Sequence, residues 1–278
     1  SRGADMADNC PAPHDAALAR KKKWDRITLV VVILMLATAA LGLIFLQHVR
    51  ANFWAWRLTW KPDAETRGRL IASIASLGDE AATGPALRLT RDQRPEVRLA
   101  GQEILLQLIE HKQRERARRL QDEIARSDGD IDKLPEELRR PLQTDPAVVA
   151  RFREMLADPW PEAQTNAITG VLLTRDAAAA EQLQSLAVKS TQTAVATLAV
   201  EALGRVAGGP ALEDAMRRVL GQAADASARA HAIEQLGQPA EDGPWAFRNS
   251  TTIAALAGAL DDDRPVASPP TSPRFDIR

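Results

Sequence analysis

The sequence predicts an all-α chain in which a single transmembrane helix is followed by an α-solenoid of helix-turn-helix repeats. Three observations carry this expectation. The run Ile27–Leu46 is apolar throughout and no formal charge falls between Arg26 and Arg50. Beyond Pro62, small and apolar residues recur at helical spacing in segments about 33 residues apart. Alanine is the commonest residue at roughly a fifth of the chain, above ordinary usage. Aromatics make up only 4% of the 278 residues and Tyr is absent. Sandwiches and barrels draw on the aromatic and β-branched residues that this composition lacks, whereas small side chains suit closely packed helices.

The averages exclude several classes. The chain is 45% hydrophobic and 26% charged, with a formal net charge of −1 and a pI near 6.5. That balance supplies no whole-chain basic field of the kind sequence-blind nucleic-acid binding needs, so no nucleic-acid partner is expected. The single cysteine, Cys10, excludes an internal disulfide framework and a Cys-based zinc site.

Residues 1–26 read as a short disordered cytoplasmic tail, with Pro11, Pro13 and mixed polar residues. Met6 is a candidate start. Cys10 lacks the preceding apolar run of a lipoprotein cleavage cysteine and is expected to be a free thiol.

Residues 27–49 read as the transmembrane helix. As a helix, Ile27–Leu46 would be about 30 Å long, the thickness of a bilayer's hydrocarbon core. Trp24 precedes it, and Phe53, Trp54, Trp56 and Trp60 follow it. Indole rings settle at membrane–water interfaces, and four of the six tryptophans flank this one segment. Together with Lys21, Lys22, Lys23 and Arg26 they are the expected membrane-interface residues, which makes the lipid bilayer a partner. A cleavable signal peptide is the competing reading, because Ala37-Thr38-Ala39 resembles an A-x-A cleavage site. Leu41–Leu46 continues the apolar stretch past that site, which favours the anchor. Arg20, Lys21, Lys22, Lys23 and Arg26 outnumber Arg50, Arg57 and Lys61. The excess before the helix predicts a cytoplasmic N-terminus, with the larger part of the chain in the periplasm, across a bacterial inner membrane. Residues 50–63 are expected to be an interfacial linker.

Residues 64–263 carry the repeat. The segments beginning at Pro95, Pro161, Thr193 and Ala226 align, with starts 66, 32 and 33 residues apart, a unit of about 33 with one position skipped. Arg67–Gly78 is an earlier, degenerate copy. Several copies end in Leu-Gly, a helix stop signal. A second helix is expected between them, at Ala81–Leu89, Pro146–Ala157, Ala177–Val188, Pro210–Leu220 and Thr251–Leu260. Pro146 and Pro210 suit a first helical turn. A helix-turn-helix unit cannot bury its apolar stripe alone, and stacking of neighbours resolves that.

The run Leu77–Ala100 contains a Leu-Gly-Asp turn, a Pro-Ala-Leu second helix and the helix start Asp-x-x-Pro-Glu-Val-Arg. It resembles HEAT-like repeats, in the short form of the phycobilisome-lyase-type HEAT proteins, over roughly residues 64–263. The resemblance implies an α-solenoid serving as scaffold, adaptor or inhibitor, or in a few cases as a chromophore lyase. It also implies that Asp92 and Arg98 pair to brace the turn. Gln164 and Ala196 stand where the later copies would carry that arginine.

The skipped position, about 110–145, is a charged insertion. Its stretch Glu110–Glu123 places opposite charges three and four residues apart and reads as a solvated extension of the preceding helix. Residues 264–278 form a Pro/Ser-rich extended tail in which Phe275 is a candidate anchor on a partner.

Catalytic motifs are absent. His14, His48, His111 and His231 are isolated, and no nucleophile elbow, Walker loop or dinucleotide fingerprint occurs. Asp128-Gly-Asp-Ile-Asp132 imitates the start of an EF-hand loop, but Lys133 replaces its glycine and Arg139 its final glutamate. Asp261-Asp-Asp263 reads as a helix end, and Asn249-Ser-Thr251 as a glycosylation acceptor only in a eukaryotic secretory setting. Neither a cofactor nor a metal is expected, and the chain is not expected to be an enzyme. The ninth position of each aligned helix holds Glu103, Thr169, Glu201 and Glu234. That row is either a solvated face or an acidic strip for a basic protein partner. The expected function is a membrane-anchored scaffold or accessory subunit of a membrane protein complex. Two alternatives stand beside it: a chromophore-lyase-like or chaperone-type HEAT enzyme, and a lipid- or nucleic-acid-binding module using the Arg-rich insertion.

Overall fold

A computed structural model of the chain describes residues 13–60, 62–127, 130 and 133–237. Among these residues the regular structure is entirely helical, with eleven α-helices. Packing divides the chain into two units, Ser1–Arg50 and Ala51–Arg278.

Helix α1 runs over Pro13–Leu58, 46 residues and about 69 Å long. It therefore extends upstream into the expected tail and downstream through most of the expected linker. The extension has local causes. Pro13 suits a first helical turn, and Ala16–Lys23 is composed of strong helix formers. Downstream, no proline interrupts the chain before Pro62. Every residue from Leu29 to Leu46 is exposed, and α1 includes a stretch of mean hydropathy 3.0 with no buried residues. Length, composition and exposure make α1 a candidate membrane anchor or signal helix.

The second unit begins with the last two turns of α1, where Ala51, Ala55 and Leu58 are buried. Helix α2 (Ala64–Ala75) starts at Asp63, whose carboxylate accepts from the Thr66 backbone N–H at 2.9 Å and from its hydroxyl at 2.7 Å. Those bonds, led by the Thr66 hydroxyl, hold the Asp63 carboxyl below its usual range. Gly78, at φ 82°, makes the turn into α3 (Asp79–Leu89). Helix α4 (Pro95–Arg126) spans 32 residues. Val97, Ala100, Ile104, Leu105, Leu108 and Ile109 bury its first half, and its second half is the charged extension expected from the insertion.

A short α5 (Glu136–Arg139) follows. Helix α6 (Pro146–Met155) is capped by Asp145, which accepts from the Ala147 N–H at 2.8 Å. Then come α7 (Pro161–Thr174), a 3-10 turn at Ala177–Ala179, α8 (Ala180–Lys189), α9 (Thr193–Val206), α10 (Gly209–Gln222) and α11 (Ala226–Gly237). The expected second helix at Thr251–Leu260 lies outside the described residues.

Packing follows a simple succession. Helix α4 packs on α7, α7 on α9, and α9 on α11, while α3 packs on α6 and α8 on α10. One continuous apolar core runs through these contacts. Its fabric is small: Ala167, Ala187, Ala196, Ala199, Ala202, Ala228 and Ala232 are all buried, which lets helix backbones approach closely. Two glycines mark close contacts with backbone or a buried ring. A Cβ at Gly101 would stand 2.7 Å from the Thr90 nitrogen and 2.9 Å from the Ala86 oxygen, closing α4 against α3. At Gly170 a Cβ would meet the buried Phe152 ring at 2.3 Å.

Candidate functional site

Two surfaces and one half-buried network hold the residues that composition and spacing single out. The first surface is the end of α1. Lys21, Lys22, Lys23, Trp24 and Arg26 fall on its early helical turns. Phe53 and Trp56 lie near its end, three residues apart, and Trp60 sits two residues beyond it in a turn closed by the Trp60 N–H donating to the Arg57 carbonyl at 3.0 Å. The spacing puts the three rings on one face. Their centroids form a ladder, 5.9 Å from Phe53 to Trp56 and 4.6 Å from Trp56 to Trp60, the second pair edge-on. Trp54 is separated from them: it is half-buried and packs against the core.

The network sits at the turns that precede the aligned helices. The Asp92 carboxylate accepts from the Arg94 N–H, from its Nε at 2.9 Å and from its Nη2 at 2.8 Å. The Arg94 side chain is the first cause that holds the Asp92 carboxyl down to about 2, against the opposing effect of burial. The same pairing raises the Arg94 guanidinium. Arg94 Nη1 also donates to the Thr59 carbonyl at 2.6 Å.

Arg98 does not pair with the Asp92 side chain, which corrects the brace implied by the repeat resemblance. Its Nε and Nη2 donate to the two carboxylate oxygens of Asp158 at 2.9 and 3.1 Å, and its Nη1 donates to the Asp92 and Gln93 carbonyls. The reason is reach: Arg94, two residues on, engages both Asp92 oxygens, and the Arg98 fork extends to Asp158 instead. Both residues still brace the 92–94 turn, through different partners. Asp158 also accepts from the Trp160 N–H at 3.0 Å.

The fourth position of the aligned helices repeats this role with different residues. Gln164 donates to the Leu156 carbonyl and Arg229 to the Ala223 carbonyl at 2.8 Å, while the methyl of Ala196 has no donor to do so. Four further polar fasteners were not legible from spacing. Arg151 donates to the Thr90 hydroxyl and carbonyl. Arg153 pairs with Asp176 through two bonds of 2.8 Å. Gln113 donates to the Leu173 carbonyl at 2.9 Å. Buried Gln102 donates to the Ala163 carbonyl at 3.1 Å, while its own Oε1 has no partner among the described residues.

The second surface is the row of ninth positions. Glu103 is exposed on α4. Thr169 on α7 donates to its own helix at Thr165. Glu201 on α9 is paired with Arg205 at 2.9 Å, and Glu234 on α11 faces His231 Nδ1 at 3.0 Å. The α4 extension is likewise internally paired, Arg114 with Glu110, Arg119 with Glu115 and Arg126 with Glu123. Arg116 turns back to the Leu138 and Arg140 carbonyls. Phe275, Asp128, Asp132, Asn249 and Asp261–Asp263 lie outside the described residues.

Among the described residues no three His, Cys, Asp or Glu side chains are grouped to hold a metal ion. A shallow cavity of about 120 Å³ opens beside Leu58, Arg67, Arg94 and Val97. The sequence matches no protein-family model and no curated protein significantly.

Proposed function

We propose that this chain is a membrane-anchored scaffold or accessory subunit of a membrane protein complex. In this reading α1 crosses the bilayer over residues 27–49 with the N-terminus cytoplasmic, and the helical unit is a HEAT-like α-solenoid on the periplasmic side that holds or recruits other protein subunits. The observation that carries it is the fully exposed apolar run Leu29–Leu46 on α1. Water gives such a surface no stable place, and a hydrocarbon core does. The succession of α4, α7, α9 and α11, backed by α3 with α6 and α8 with α10, supports the solenoid reading, because stacked helix pairs bury their stripes against neighbours.

Alkaline carbonate extraction with N-terminal sequencing tests the anchor. Retention in the membrane pellet with residues 27–46 intact is expected; a mature N-terminus at Ala40 overturns it in favour of a signal peptide. Purification in mild detergent tests the scaffold. A membrane chain is expected to co-purify in fixed ratio and to be lost from the double charge reversal E201K/E234K. A monomeric chain recovered alone sinks the accessory-subunit reading.

A further inference from the structure

We propose that Phe53, Trp56, Arg57 and Trp60 form a lipid-contact face that rests on an anionic bilayer surface; this deepens, and rests on, the reading of α1 as a membrane anchor. At 100° per residue the end of α1 has two opposed faces. Ala51, Ala55 and Leu58 are buried in the helical unit, and on the other side Phe53, Trp56 and Trp60 are 51%, 51% and 69% exposed. Three large rings within two turns form a contiguous apolar patch of the kind that marks an interaction surface. The rings already pack against one another, tilted and edge-on, so little side-chain freedom is left to lose on contact.

The occupant follows from charge and continuity. No Asp or Glu occurs from Ile27 to Pro62, so nothing on this stretch repels an anionic headgroup. Arg57 is exposed on the ring-bearing face and makes no ion pair among the described residues. A guanidinium beside indole rings suits the phosphate layer, where the apolar bodies enter the acyl boundary and the charge stays among headgroups. The face also continues the apolar run of α1. Phe53 follows exposed Val49 by four residues, about 6 Å of helix. That distance matches the headgroup layer of roughly 5–8 Å on each side of the core. Trp60 stands farther along the chain from the apolar run than Phe53 and Trp56, so its contact is the shallowest of the three.

The test uses the full chain in phosphatidylcholine vesicles with and without phosphatidylglycerol. Trp24, Trp54, Trp160 and Trp245 are replaced by Phe, and either Trp56 or Trp60 is kept. Lipids brominated near the headgroup are expected to quench both rings, Trp56 more than Trp60. Phosphatidylglycerol should deepen the quenching of Trp60, and R57E should abolish that gain. A spin label at W60C in a C10S chain reads the same contact without the multiple replacements, through oxygen access against a water-soluble relaxant. Carbonate extraction of the chain marks failure of the anchor and overturns both proposals. Membrane retention with unquenched, water-accessible rings overturns the lipid contact alone. Rings shielded from water yet unquenched by lipid would mean a protein covers the face, which also overturns it.

Discussion

The two halves of the helical unit are held together by different chemistry. Between α3 and α7 the contacts are spanned by long polar side chains: Arg98 to Asp158, Arg151 to Thr90, Gln102 to the Ala163 carbonyl and Gln113 to the Leu173 carbonyl. Between α9 and α11 the fabric is Ala196, Ala199, Ala202, Ala228 and Ala232 with Val195, Val200 and Leu203. A side-chain link there is the Thr193 hydroxyl donating to Asp225 at 2.7 Å. Directional bonds fix register but leave a half vulnerable to loss of one partner. Alanine packing is indifferent to partners and intolerant of added volume.

The largest expected effect breaks the directional half. Arg98 and Asp158 are 14% and 8% exposed at their side chains. Asp158→Ala would leave a largely desolvated guanidinium with only two carbonyls, a loss of about 3 kcal/mol. Denaturant unfolding of the detergent-solubilised chain measures it, and Asp158→Asn should lose less, because its amide oxygen still caps the Trp160 N–H. Next comes Ala199→Leu in the alanine half, where extra methylenes have no space; about 2 kcal/mol is expected from overpacking. If Ala199→Leu were as mild as a surface change, the contrast between the halves would fail.

Acid sharpens the comparison further. The Asp92 carboxyl is held at about 2 in the folded chain, below the roughly 3.9 of an unfolded aspartate. A depressed carboxyl stabilises the fold above the unfolded value, and that stability is lost as pH falls from about 4 to about 2. The urea midpoint should drop across this window in the parent chain and drop less in Asp92→Asn. The smallest effect is expected at Gln102, where Oε1 is buried without a partner. Gln102→Met removes that orphan while the Ala163 carbonyl keeps its place in α7, so stability should be unchanged or slightly raised. A loss above about 1.5 kcal/mol would show that Gln102 is a fastener of the same rank as Arg98.

Helix starts were legible because their signals are local. The aligned segments begin at Pro95, Pro161, Thr193 and Ala226, and α4, α7, α9 and α11 begin at those residues. Proline at a first turn and apolar spacing report on neighbours within one helix. The partner of Arg98 was not legible, since Asp92 and Asp158 offer the same side chain and only packing brings residue 158 beside residue 98. Arg151, Arg153 and Gln102 escaped for the same reason: their acceptors are mostly backbone carbonyls or turns on other helices, and a carbonyl leaves no mark in sequence. Trp54 shows the limit of composition. It stands among interface-type aromatics, yet a 100° step turns it inward.

The burial of Ala51, Ala55 and Leu58 bears on where a soluble fragment of this protein can begin. A boundary drawn at the first residue of α2 looks natural, because Pro62 and Asp63 precede it. Such a fragment would lose one wall of its core and uncover Leu58's neighbours at the cavity rim, Val97 and Ala100. Expressed fragments that start at residue 64 should aggregate, whereas those that start at Ala51 keep the wall and carry the three exposed rings with it.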